Sequence, residues 1–387
     1  MDRRNFIKLV GIGATATVFS STMTACGQSP KTELYGWGGP DPALTDIRLK
    51  VLSYAMLAPN PHNKQPWIVK LTGPSSFELY VDPDRLLPET DPVHRQIHIG
   101  QGTFLETASI AASALAYRAK IDYFPADQYD NTSLANKPVA AVTLIPQADI
   151  KPDPLFSNLL NRHSNKSTYD KQALSSREQA ELSQFHQQNS LVDLSFHSSK
   201  QDQQKLSQFL TQAMTIETGH PERDLETIKM FRFNDDEVAK YRDGFGLDQS
   251  NMSGIMKWAA ETFFLSREKA EKDPSGFGEQ AITMTKDAAE STATFARLTS
   301  TGNERIDQVK VGRDYCRINI KTTAMGLAQH PMSQILQEYP DMLALQQSFK
   351  KTFEIPEADT VQMLFRLGRA KPNQHSPRRQ LASIIST

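Results

Sequence analysis

The chain has 387 residues, enough for two modest domains or one large one with a well-filled core. Its 43 basic and 44 acidic residues nearly cancel and the basic ones form no tract, so nucleic acid is excluded as an expected partner, as is electrostatic attachment to a membrane surface. After the N-terminus no apolar run is long enough to cross a bilayer.

The chain opens MDRRNFIK, with Arg3 and Arg4 ahead of Phe6, Ile7 and Lys8, then a weakly apolar run and the small residues STMTACGQS. This is the layout of an export signal, and it resembles the twin-arginine kind, whose core reads RRxFIK. GIGATA inside it imitates a nucleotide fingerprint but lacks the strand–turn–helix context that gives such a fingerprint its chemistry. Met23-Thr24-Ala25-Cys26 resembles a lipoprotein cleavage site, with Cys26 as the acylated residue. The other cysteine is Cys316, so no intramolecular disulfide is expected. The expectation is a signal over 1–25, export to the periplasm or a lipid anchor, and no other membrane association. Twin-arginine substrates cross the membrane folded, which favours a cofactor loaded beforehand.

Residues 26–44 are rich in Gly and Pro and read as a tether. Helical spacing begins at Ile47, Val51, Leu52, Ala55 and Met56 and stops before Pro59. APNPHNKQPW (58–67) follows, with Asn60, His62, Asn63 and Gln65 set between prolines. Proline restricts the residue before it, pushing Asn60 and Gln65 towards extended backbone. Side-chain amides donate and accept together, which suits a flat heteroaromatic ligand, and equally suits a loop that caps its own backbone. Strands are expected over 67–71 and 77–82, a long helix over about 98–120 and a buried strand over 138–146.

Residues 152–191 carry further helix and the polar run RHSNKSTYD (162–170). In an extended stretch Arg162, Ser164 and Lys166 share one face and make a plausible phosphate cradle, or else a solvated helix start. A strand over 192–198 precedes a mostly helical region, 200–293, rich in charge, Met and aromatic residues. Strands over 293–300 and 360–368 flank one more long helix, and Arg366, Arg369, Arg378 and Arg379 cluster near the end. The order is α+β, with mixed sheets flanked by helices. QIHIGQGTFLETASIAASALA (96–116) overlays QVKVGRDYCRINIKTTAMGLA (308–328) without a gap, which suggests two related fused modules, 45–150 and 151–387.

Together these pieces resemble the FMN-dependent nitroreductases, most of all members with two modules fused in one chain. The carriers are Pro59-Asn60-Pro61-His62-Asn63-Lys64-Gln65-Pro66-Trp67, Thr90-Asp91-Pro92 through Gly100, Arg162-His163-Ser164-Asn165-Lys166, and Leu364-Phe365-Arg366-Leu367-Gly368 with Pro377-Arg378-Arg379. Two departures stand out: Asn60 replaces a serine, and Lys166 replaces an arginine, keeping charge but losing the bidentate fork. The resemblance implies an intrachain pseudo-dimer, a monomer or weak homodimer, with one flavin site made from two half-sites. Asn60, His62, Asn63 and Gln65 would lie near the ring or ribityl edge. Arg162, Ser164 and Lys166 would lie near the phosphate, and His163, Arg369, Arg378 and Arg379 would also bind the cofactor. The flavin would carry the redox chemistry between a small-molecule donor and a nitroaromatic or quinone-like acceptor, so no side chain need be catalytic.

The competing reading is an FMN-binding or flavin-sequestering protein, with an insertion at about 220–292 as a lid carrying Phe231, Phe233, Phe245, Met252, Met256 and Trp258. His94 and His98 share a helix face, but no third ligand accompanies them, and no metal is expected.

Overall fold

The computed structural model describes residues 36–386 apart from 189, 191, 251 and 253. The expected export signal and Cys26 lie outside the described residues. The first half begins with α1 (Ile47–Ala55), whose N-terminus is capped by the Asp46 carboxylate accepting from Arg48 N. It continues with β1 (Trp67–Gly73), β2 (Ser76–Val81), α2 (Arg95–Ala114), β3 (Tyr117–Tyr123), β4 (Ala140–Pro146) and the short α3 (Phe156–Leu159). Next come α4 (Ser176–Gln187), which carries a Ser175/Glu178 capping box, β5 (Asp193–His197), α5 (Lys200–Glu217), α6 (Pro221–Met230) and α7 (Asp235–Tyr241). α8 (Gly254–Ala259), α9 (Arg267–Lys272), α10 (Pro274–Glu290), β6 (Thr294–Ser300), α11 (Arg305–Ala324), β7 (Ala328–Pro331), α12 (Leu343–Thr352), β8 (Thr360–Gly368) and β9 (Ile385–Ser386) complete the order.

The strands form two sheets, β3-β4-β2-β1-β9 and β5-β6-β8-β7. This is a mixed α+β architecture with helices against both sheets, as the sequence led us to expect. In the first sheet all pairings are antiparallel except that of β9, which the C-terminal arm lays parallel to β1 with Val69 opposite Ile385. One end of the second half thus finishes the sheet of the first. The segment after α3 crosses the other way, where Asn165 N donates to Gln329 O.

The long helix expected to reach residue 120 stops at Ala114, and the chain reverses through Ala116 at φ +63°. Residues 117–123 then pair along their whole length with β4, so the alternating run YRAKIDY follows the ladder rather than its helical neighbours. β7 and β9 are too short to announce themselves by periodicity.

α2 and α11 cross at the centre of the molecule. A Cβ on Gly102 would overlap the Val309 carbonyl oxygen, and a Cβ on Gly312 would overlap that of Ile99. The two contacts are mirror images, so position 102 corresponds to 312 and position 99 to 309. The ungapped overlay had put Gly100 on Gly312; the packing moves the register by two residues. The same correspondence pairs Arg95 with Arg305, each the first residue of its helix and each fully buried. Arg95 donates to the carbonyls of Leu336 (2.7 Å) and Gln362 (2.9 Å), and Arg305 to those of Asp130 and Ser133 (both 3.0 Å). Each arginine therefore ties its helix to the opposite half, Arg95 to β8 and the turn at Leu336, Arg305 to the loop at 130–133.

A second cross-half contact carries a buried acid. Glu226 on α6 accepts from Thr90 N (2.8 Å), and nearby Glu217 accepts from Tyr339 Oη (3.4 Å). Burial pushes the Glu217 carboxyl up to about 7.

Two outcomes follow. Gly102→Ala is expected to cost about 1–3 kcal/mol of unfolding free energy in urea melts, because both facing backbones must move; a neutral result would mean the helices are not in backbone contact. Glu217 has a folded pKa above its unfolded one, so its contribution is present at low pH and is lost as pH rises through about 7. Glu217→Gln should therefore stabilise the protein more at about pH 8 than at about pH 5 relative to the parent, and equal effects would show that the buried carboxyl ionises freely.

Candidate functional site

The loop after α1 is held in an unusual backbone shape. Asn60 is extended, at φ −157° and ψ 160°, as Pro61 requires. His62, Asn63 and Gln65 all have positive φ, at 49°, 52° and 53°, so Gln65 departs from the extended conformation anticipated for it. Left-handed backbone costs about 1–2 kcal/mol per non-glycine residue, so something must impose it. α2 does: Thr103 Oγ1 donates to Pro59 O, and Gln101 Nε2 to Pro66 O (2.6 Å), fixing both ends of the loop. Asn60 Oδ1 closes the turn by accepting from Gln65 N (2.7 Å).

The loop's amides clamp two distant segments. Asn63 Nδ2 donates to Gly244 O and Pro377 O (both 2.9 Å), while its Oδ1 accepts from Arg378 Nη1 (2.6 Å). Gln65 Nε2 donates to Arg242 O (2.9 Å), and its Oε1 accepts from Arg379 N (2.8 Å). Residues 242–249 of the insertion thus lie directly on the loop. Of the aromatic and Met stripe, Phe245 is the member that packs on His62, with ring centroids 5.6 Å apart, whereas Trp258 is 58% exposed.

Around this junction gather cations that meet no carboxylate among the described residues. Arg162 is buried and donates to Asn319 Oδ1 and Leu57 O (both 3.0 Å). Arg378 is buried too and shares Leu57 O (3.1 Å). The Lys166 ammonium lies 3.7 Å above the Phe245 ring centroid, and burial together with the Arg366 charge pushes it down to about 8. Arg366 is fully buried, donates to His330 Nδ1 (3.2 Å) and Ser167 O (2.9 Å), and stacks on Tyr169. Four buried polar atoms here have no hydrogen-bond partner: His62 Nδ1, His375 Nε2, Asn373 Oδ1 and Arg378 Nε. The gap among Arg232, Phe245, Gln249, His375 and Pro377 is about 10 Å³, room for one water.

The structure therefore brings Asn60, His62, Asn63, Gln65, Arg162, Lys166, Arg378 and Arg379 to one place. His163 lies beside His375, with ring centroids 6.3 Å apart, and Ser164 O accepts from Asn373 Nδ2 (3.1 Å). Arg369 is a correction: it is 40% exposed and ion-paired with Glu178 on α4, because β8 ends by turning its side chain towards that helix. Arg379 pairs with Asp82 (3.4 Å) and supports the loop from outside. His330, His375 and Trp37 were not legible as members, since each is a lone residue in an ordinary local context, whereas Phe245 was expected as part of the lid stripe. Trp37, expected in a tether, is 2% exposed. His98 uses both ring nitrogens on His94 O (2.6 Å) and Tyr129 Oη (2.7 Å), and among the described residues no group of three side chains could hold a metal ion.

No protein-family model matches the chain. A 101-residue stretch is 38% identical to a Mycobacterium tuberculosis protein named "Putative NAD(P)H nitroreductase Rv3131", covering 26% of this chain and 28% of that one. The resemblance is to nitroreductases. An 81-residue stretch is 32% identical to "Putative NAD(P)H nitroreductase acg" of the same organism, over 21% of this chain and 24% of the relative. The chain thus matches little more than a quarter of the length of these relatives. Among solved structures, a Bacteroides fragilis nitroreductase with bound FMN aligns at TM-score 0.34 and 10% identity, over 61% of this chain and 98% of that one. The nitroreductase NfnB of Mycobacterium smegmatis, in complex with NADPH, aligns at 0.35 and 12%, over 58% and 92%. Superpositions this loose do not establish a shared fold.

Burial beside Arg162, His163 and Arg378 pushes the His375 imidazole down to about 3, so it is neutral in the fold while the unfolded chain takes up a proton below about 6.5. Its contribution to stability is present above about pH 6.5 and is lost as the pH falls towards 3. His375→Gln should flatten the fall in unfolding free energy from urea melts between about pH 6.5 and 4.5 by on the order of 1–2 kcal/mol. An unchanged slope would mean that the ring stays solvated and protonates as it does in the unfolded chain.

Proposed function

We propose that the chain is an FMN-dependent oxidoreductase of nitroreductase type with one flavin site made from both halves. One observation carries this reading: buried cations without carboxylates converge on a strained polar loop whose surroundings hold four orphaned polar atoms. An isolated buried charge is costly, so a cluster of them is best explained by an anionic ligand. Arg162, Arg378 and Lys166 would hold the phosphate, with Arg366 behind Lys166. His62 and the Asn60–Gln65 loop would meet the ring edge. Bound FMN would supply the two-electron chemistry.

The residues fit the group chemically, but ligand pockets usually measure about 300–1,000 Å³. Seating a flavin therefore requires residues 242–249 to withdraw from Asn63 and Gln65. The contacts they would release are the bonds to Arg242 O and Gly244 O, the bond from Gly244 N to Asn63 O (3.2 Å) and the Asp243–Arg85 ion pair (2.9 Å). This segment would act as a cover, opening for cofactor and small-molecule acceptor and shielding the site from water when closed.

The acceptor class is a small nitroaromatic or quinone, and the electron donor is a second small molecule. Residues 1–25 would send the protein through the twin-arginine route to the periplasm, with Cys26 as a lipid anchor. The deciding measurement is the visible absorption of protein from the periplasmic fraction. Flavin bands at about one per chain are expected, and NADPH should bleach them. Colourless protein that takes up no added FMN would sink the reading; bound flavin that resists every donor would make the protein a flavin carrier. Lys166→Ala is expected to weaken FMN binding about tenfold, loss of one charge-assisted contact, in a flavin-fluorescence titration.

A further inference from the structure

Trp37 sits at the junction of three chain segments. Its indole stacks on His375, with centroids 4.0 Å apart and planes 13° apart. Its Nε1 donates to Ser376 O (2.9 Å). The guanidinium carbons of Arg162 and Arg378 lie 5.5 and 5.0 Å from the centre of the same ring. Both arginines donate to the Leu57 carbonyl, so two like charges are drawn close with no acid to separate them. Beside their carbonyl, amide and hydroxyl acceptors, the Trp37 face adds attraction for both cations, at roughly 0.5–2 kcal/mol each.

Resting on the flavin reading, we infer that Trp37 is a positioning residue for the phosphate end of the site. It holds Arg162 and Arg378 with their remaining donors turned to one side, and it pins the C-terminal arm that carries Arg378. Ser376 links the two functions: its carbonyl takes the indole N–H, and its hydroxyl accepts from Arg378 Nη1 (2.8 Å). Loss of the indole removes the ring that both guanidiniums lie against and the bond to the arm. The guanidiniums then spread apart, while the loop at Asn60–Gln65, held from α2, keeps its shape. The phosphate end should suffer and the ring end should not.

Two ligands separate these ends: FMN carries a phosphate and riboflavin does not. Both are titrated by flavin fluorescence into the flavin-free wild type, Trp37→Ala and Trp37→Phe. The expected result is a tenfold or greater loss of FMN affinity in Trp37→Ala, with riboflavin affinity changed less than about twofold. Trp37→Phe keeps a ring but loses the Ser376 bond, so its loss is smaller and again confined to FMN; this variant carries the test if the alanine variant does not fold. Unchanged FMN affinity, or equal losses for both ligands, would overturn the inference while leaving the flavin reading intact. A wild type that binds neither ligand overturns both.

Discussion

The close crossing of α2 and α11 is the constraint on which the rest of the structure depends. Two helices can approach with backbones in contact only where neither presents a side chain, and Gly102 and Gly312 meet at that point. The near-symmetry of the crossing sets the relation between the halves. With that relation fixed, Arg95 and Arg305 reach carbonyls of the opposite half, and the two arms cross over in exchange. The arm ending in β9 brings Arg378 to the Asn60–Gln65 loop, and the arm after α3 brings Arg162 and Lys166. The candidate site is thus a consequence of the helix crossing, since no single half contains it.

What accumulates at that site is uncompensated charge. Several other arginines find acids, as Arg313 and Arg317 find Glu106 and Arg95 finds Glu338, although the fully buried Arg305 meets only carbonyls and an amide. At the junction, Arg162, Arg366 and Arg378 find carbonyls, amides, a hydroxyl, an imidazole and aromatic faces, and no carboxylate among the described residues. The contrast is chemical: a carboxylate there would compete with any anion that binds. The depressed His62, His330 and His375 belong to the same pattern, because each is buried beside cations and stays neutral.

The cover meets the loop through hydrogen bonds and is also tied beside it by charge, with Asp243 paired to Arg85 at 2.9 Å. Asn63 holds Gly244 through two hydrogen bonds and Gln65 holds Arg242 O through one, each worth on the order of 1 kcal/mol. The loop beneath has its ends bonded to α2 and keeps its shape by itself.

Much of this was legible in the sequence. Alternation and helical spacing announced most strands and helices, because side-chain periodicity reports local geometry directly. The polar loop and the RHSNK segment were visible as chemistry, since clustered amides and bases between apolar elements are unusual. The repeat pointed to two modules, yet its register was wrong by two residues, because identity along a line cannot tell which glycine meets which across a helix pair. Tertiary structure alone decided that Arg369 leaves the site for Glu178, that Trp37 enters it from a Gly- and Pro-rich segment, and that His330 and His375 join. Those assignments depend on which surfaces face each other after the halves dock, and a one-dimensional pattern holds no record of that.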